Sequence, residues 1–137
     1  MKRITKKMIK IYRLKHIGVD FMGYSLQRGG MATFHHIIKK EHGGSETISN
    51  GAVLMGETSH PYLHLIESKD LDIYIYISKI LKEINKQGIY PSKKQLLAIN
   101  DVLKGFEREY SGSTNRKGKI LIKERYIERV SVDKIWK

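Results

Sequence analysis

Two pairs of histidines could do chemistry in this sequence. His60 and His64 stand four residues apart in SHPYLHLIES, and His35 and His36 stand side by side in ATFHHIIKKEHGG. Four residues is about one helical turn, so on a helix the two imidazoles leave the same face one above the other. That is the spacing at which two histidines chelate one ion, although a pair alone is more often a surface coincidence than a site. On a strand, neighbouring side chains point to opposite faces, so His35 and His36 cannot share one task on regular backbone. One of the two can ligate beside the helical pair, and three protein ligands leave positions open on an ion, as a catalytic site requires. The other is then free to take a proton from water, which suits an imidazole with an unperturbed pKa of about 6.5.

The elements around the histidines must bring them together. VDFMGYSLQRGGMATFHHII alternates apolar stretches with the break at Gly29-Gly30, which predicts two extended segments joined by a turn, with His35 and His36 near the end of the second. KKEHGGSETIS reads as a polar loop and NGAVLM as a second strand. GETSHPYLHLIES then opens a helix, with Thr58 or Ser59 as its cap and Pro61 tolerated in the first turn. The predicted order over residues 31–67 is strand, long loop, strand, helix.

The flanks read as helical support. Ile4, Met8, Ile11 and Tyr12 recur at helical spacing between lysines and arginines, which predicts a basic amphipathic helix over about 4–16. Its charged side could lie on phosphates or simply face water. DLDIYIYISKILKEIN carries both strand-like and helix-like periodicity, and its length and lysine-rich end favour helix. Ser92 and Gln95 form a capping-box signature for a helix whose Leu96, Ile99, Leu103 and Phe106 share one side. SGSTNRKGK reads as a flexible basic loop, and ILIKERYIERVSVDKIW as strand or helix. The whole is expected to be one α+β domain, residues 1–137, with a helical C-terminal extension over about 69–137.

Composition narrows the function classes. With no cysteine in 137 residues, thiolate metal sites and cysteine nucleophiles are excluded. No apolar run approaches the roughly 18 residues of a membrane span, and lysines interrupt the start where a secretory signal would need a continuous apolar stretch. A cytoplasmic protein is expected. Lys and Arg number 26 against 14 Asp and Glu, a formal charge of +12, which favours a polyanionic partner because neutralised phosphates release counterions. Candidate phosphate contacts are Arg28, Lys39 and Lys40 near the histidines and Arg116, Lys117 and Lys119 in the late basic loop; solvated charges would look the same. His42 and His16 read as ordinary histidines, and Tyr74, Tyr76 and Tyr90 as packing residues rather than stacking platforms.

HHIIKKEHGGSETISNGAVLMGETSHPYLH resembles the HNH endonuclease motif. His35-His36-Ile37-Ile38, Gly43-Gly44, Asn50 and His60-x-x-x-His64 fill, in order, that family's paired first residues and aliphatics, its Gly-Gly loop, its asparagine opening the second strand and its helical histidines. The resemblance covers about residues 31–67. It implies a ββα-metal core with additional flanking helices and a nuclease that hydrolyses phosphodiester bonds, with DNA as the partner. His35, His60 and His64 would be the metal ligands and His36 the general base. Asn50 would brace the loop and orient the base, or touch the metal as in some members. Magnesium or manganese would support activity, and imidazole-rich coordination also suits zinc or nickel. The chain departs from the family in lacking paired Cys-x-x-Cys zinc knuckles, in carrying Lys39 where a proline often follows the aliphatics, and in an Asn50-to-His60 interval about one residue longer than the commonest form. The alternative use of such a scaffold is a non-catalytic module, such as a phage-encoded one, that binds nucleic acid or inhibits a protein.

Overall fold

The computed structural model describes residues 3–13 and 18–135. Helix α1 spans Arg3–Arg13 and strand β1 Ala32–His36. Two short 3-10 turns, Lys40–His42 and Ile48–Asn50, then lead into strand β2, Gly51–Met55. Helices α2 (Ser59–Lys69), α3 (Leu71–Lys86) and α4 (Lys93–Tyr110) follow, then two short helices, α5 (Glu124–Ile127) and α6 (Val132–Ile135). The chain is thus α+β, with mostly helical residues around one two-stranded antiparallel sheet.

The sheet pairs Thr33 with Leu54, His35 with Ala52 and His36 with Gly51. Every residue of β2 is buried. It lies under α1, α2 and α3, so its apolar run GAVLM shows no alternation. Gly51 is required at its place because a Cβ there would overlap the Phe34 ring and Met8 Sδ. The main core gathers Met8 and Tyr12 of α1, the whole of β2 after its glycine, Leu63 and Ile66 of α2, Ile77, Leu81 and Ile84 of α3, and Ile99, Leu103 and Phe106 of α4. The predicted apolar side of α1 is the buried one at Met8 and Tyr12, while Lys6, Lys7 and Lys10 are exposed. The predicted extent of that helix beyond residue 13 lies outside the described residues, as does His16.

The ambiguous segment at 70–85 is helix. Asp70 ends α2 and also caps α3, its carboxylate accepting from the Ile73 amide at 3.2 Å. The expected capping box at Ser92 and Gln95 is present in both directions, at 3.2 and 2.9 Å.

Three segments refine or correct the sequence expectations. The segment around residues 19–25 is not a strand: only the Val19 and Ser25 bridge is extended pairing, and Asp20 Oδ1 accepts from the Met22 and Tyr24 amides at 2.9 and 3.0 Å. A buried carboxylate there takes the donors that a neighbouring strand would otherwise take. The basic loop near residue 116 is a hydrogen-bonded turn. Thr114 bridges Ile120, and Asn115 Oδ1 accepts from the Lys117 and Lys119 amides at 2.8 and 3.1 Å. The C-terminal segment, read as strand or helix, is helical in two short pieces, α5 and α6. It is pinned by Arg129, whose guanidinium meets Glu107 of α4 in a fork at 2.8 and 2.9 Å, with Tyr62 of α2 donating to the same carboxylate at 2.7 Å.

Candidate metal centre

The centre starts from a short stretch of sheet facing the first turn of α2. Asp20 fixes that junction. Its Oδ2 accepts from the Met55 amide at 3.2 Å and from the Ser59 hydroxyl, and Ser59 Oγ also accepts from the Met55 amide at 2.8 Å. One buried carboxylate therefore ties the end of β2 to the start of α2 and to the 20–24 turn. His60, the next residue, is placed over β1 by that tie.

His35 projects from β1 toward α2 and is 3% exposed. Its cross-strand partner is Ala52, whose methyl group leaves the imidazole room on that face. The His35 and His60 rings meet edge-on with centroids 5.2 Å apart, and His64, one turn along α2, lies 5.0 Å from His60 and 6.0 Å from His35. Each of the three offers one ring nitrogen, and these nitrogens all lie within 4.8 Å of one another. A tetrahedral zinc ion with bonds of about 2.0–2.1 Å would need nitrogens roughly 3.3–3.4 Å apart. The closure required is small, and half-exposed His64 has the space to make it.

Two features fit these residues to a cation. His35 Nε2 is buried with no hydrogen-bond partner among the described residues, a state that costs free energy unless something takes its lone pair or proton. Buried His35 and partly buried His60 are also held neutral: loss of solvent first, and then the neighbouring histidines, push His35 down to about 3 and His60 down to about 4. Neutral imidazole is the ligand form. A set of three imidazoles without a carboxylate favours zinc, nickel, cobalt or manganese over magnesium.

His36 is the last residue of β1, and the chain turns away after it. As a result it lines the same cleft as the triad instead of an unrelated face. The cleft holds about 450 Å³, and its lining includes Phe34, His35, His36, His60, His64 and the lysines Lys39 and Lys40. The His36 ring packs edge-on against Phe34 at 4.9 Å, and its Nε2 lies 3.8 Å from Glu46 Oε1. Glu46 also pairs with Lys40, and Lys39 pairs with Glu67 at 2.7 Å. The two lysines thus stand at the rim already partnered by carboxylates.

Asn50 is a brace. Its Oδ1 accepts from the Ile38 amide at 2.8 Å, and its Nδ2 donates to the Ile38 and Ser45 carbonyls, both at 2.9 Å. Together with the Ile37 amide on the Asn50 carbonyl at 2.9 Å, these bonds close the loop that leaves His36. Gly44 completes it, since a Cβ there would sit on the Ile38 carbonyl oxygen.

The remaining candidates are elsewhere. Arg28 lines a separate cleft with Arg125, Arg129 and Lys134, and Arg116, Lys117 and Lys119 are exposed on their turn. His42 is exposed, Tyr74 is buried as packing, and Tyr76 and Tyr90 are partly exposed. Sequence reasoning missed Asp20, Thr33 and Glu67. Asp20 was detectable only as an acid inside the apolar run VDFMGY. Thr33 touches His60 across 27 positions, and nothing local marks it.

No described helix is long and apolar enough to cross a membrane. Comparison with family models, with curated proteins and with solved structures finds no match to this chain.

Proposed function

We propose that this chain is a metal-dependent endonuclease of the HNH kind, its β1, β2 and α2 forming a ββα-metal core, and that it hydrolyses phosphodiester bonds in DNA. The observation that carries the reading is the single cleft in which three histidines able to hold one ion stand beside a fourth, His36, that lies outside the ligand set. His35 from the strand and His60 and His64 from the helix hold the ion. When bound, it supplies charge neutralisation at the phosphate and at the departing 3′-oxygen. His36 takes a proton from the attacking water as that oxygen bonds to phosphorus and the bond to the 3′-oxygen breaks. Glu46, near the His36 ring, favours the imidazolium that forms. Asn50 holds the backbone from which His36 projects. The net charge of +12 supports a polyanionic substrate, drawn in over the whole surface rather than by the two rim lysines alone.

The test is cleavage of plasmid DNA, single-stranded DNA and RNA by protein stripped of metal and then supplied with manganese, magnesium, zinc or nickel. Metal-restored cutting of DNA is expected. Metal-loaded protein that binds these substrates and cuts none of them would replace the nuclease with the non-catalytic binding module.

A further inference from the structure

We propose that Thr33 is a positioning residue for the metal centre: its hydroxyl fixes His60 in the tautomer that carries its proton on Nδ1, leaving Nε2 as the free donor atom. The inference rests on the metal-site reading above and deepens it.

The argument is a count of protons. Thr33 Oγ1 lies 2.7 Å from the Leu54 carbonyl oxygen and 2.7 Å from His60 Nδ1. A hydroxyl has one proton to give, and a carbonyl can only accept. The proton of Thr33 therefore goes to Leu54, and the contact with His60 must be made by an oxygen lone pair. That contact is a hydrogen bond only if His60 Nδ1 donates. A neutral imidazole carries a single N–H, so Nε2 is left bare on the opposite side of the ring. Thr33 lies two residues before His35 on β1, on the same face of the strand. Its pairing opposite Leu54 sets the hydroxyl against that carbonyl, so the strand register itself chooses the tautomer. His64 Nδ1 also faces a carboxylate oxygen, Glu67 Oε1, but at 3.7 Å, beyond hydrogen-bond distance, so only the His60 tautomer is fixed in this way. Partners of this kind, behind a ligating imidazole, orient the ring and raise its affinity for the ion.

The experiment compares wild type, Thr33→Val and Thr33→Ser. Long-range nitrogen–proton correlation spectra of the metal-free proteins report the His60 tautomer, and competition with a chromophoric chelator reports zinc and cobalt affinity. Wild type and Thr33→Ser should show His60 protonated on Nδ1. Thr33→Val should show a mixture or the other tautomer and bind either metal about 10- to 100-fold more weakly, with its metal-free urea midpoint recorded to separate this from loss of fold. A wild-type His60 protonated on Nε2 overturns the inference without any variant. So does Thr33→Val with wild-type tautomer and affinity. Wild-type protein that binds neither metal, with His60 protonated on Nδ1, instead overturns the metal-site reading and leaves the hydrogen-bond assignment standing.

Discussion

Burial and then the neighbouring His60, His64 and His36 keep His35 neutral, while partial burial and then His64 and His36 keep His60 neutral, and this leaves a signature in stability. In the unfolded chain both titrate near 6.5, whereas in the folded protein they stay neutral down to about 3 and about 4. Their contribution is complete above the unfolded value and is lost as the pH falls below it, because the unfolded chain takes up two protons that the native state refuses. Asp20 works in the opposite sense. Burial, opposed by four hydrogen bonds, pushes it up to about 6 from 3.8, so the native state gains a proton first and stability rises as the pH drops through that value. Two groups outweigh one between about pH 6 and pH 4. The urea midpoint of the metal-free protein is therefore expected to fall between pH 7 and pH 4.5, and to fall less in His35→Gln. An equal fall in the variant would mean that His35 is not the group resisting protonation. Of these three residues, only the histidines stand out in sequence. Their adjacency and their four-residue spacing are local facts, whereas the value of Asp20 depends on Ser59 and Met55, 39 and 35 positions away.

Among the elements, the loop between β1 and β2 depends most on single side chains. It contains only two 3-10 turns of three residues each, too short to hold themselves, and its ends are closed by Asn50. Asn50→Ala would remove three hydrogen bonds and leave the Ile38 amide and carbonyl without that partner. A loss of about 2–3 kcal/mol is expected from denaturant unfolding. Faster amide exchange at Ile38 should accompany it, because the Asn50 side chain is that amide's acceptor. Unchanged exchange there would argue against the brace. The order strand, loop, strand, helix was legible in the sequence because each piece has its own periodicity or cap. The extended segment predicted before Gly29 failed for a reason periodicity cannot register: a buried Asp20 supplies by its side chain the acceptors that a ladder would supply by backbone. The C-terminal segment was ambiguous because both of its helices are only four residues long, shorter than any repeat that could identify them.

At the scale of the molecule, helices on both sides of the small sheet do the work that a metal knuckle or disulfide does in cysteine-bearing small folds. The fork between Arg129 and Glu107 is the main polar fastening of this shell, with both side chains largely buried at 7% and 12% exposure. Arg129→Ala would leave the Glu107 carboxylate with Tyr62 as its only donor among the described residues, at a cost of about 3 kcal/mol or more. Thermal unfolding measures that cost, and a variant with wild-type stability would show that the C-terminal segment is not part of the support. The basic surface is a whole-molecule property too. It is visible in composition, but composition does not locate it: Arg28 lines a separate cleft, Arg116, Lys117 and Lys119 lie on a turn, and Lys39 and Lys40 stand at the rim of the histidine cleft. In the proposed nuclease, the basic surface and the shell around His35, His60 and His64 would serve one proton acceptor, His36. The most direct measurement is metal-dependent cleavage of plasmid DNA by wild type and His36→Ala side by side, with metal content and DNA binding recorded for both. The expected result is that His36→Ala folds, holds its ion, binds DNA and loses cleavage by at least about 100-fold, in line with the loss of a general base. Cleavage by His36→Ala at the wild-type rate would contradict the account.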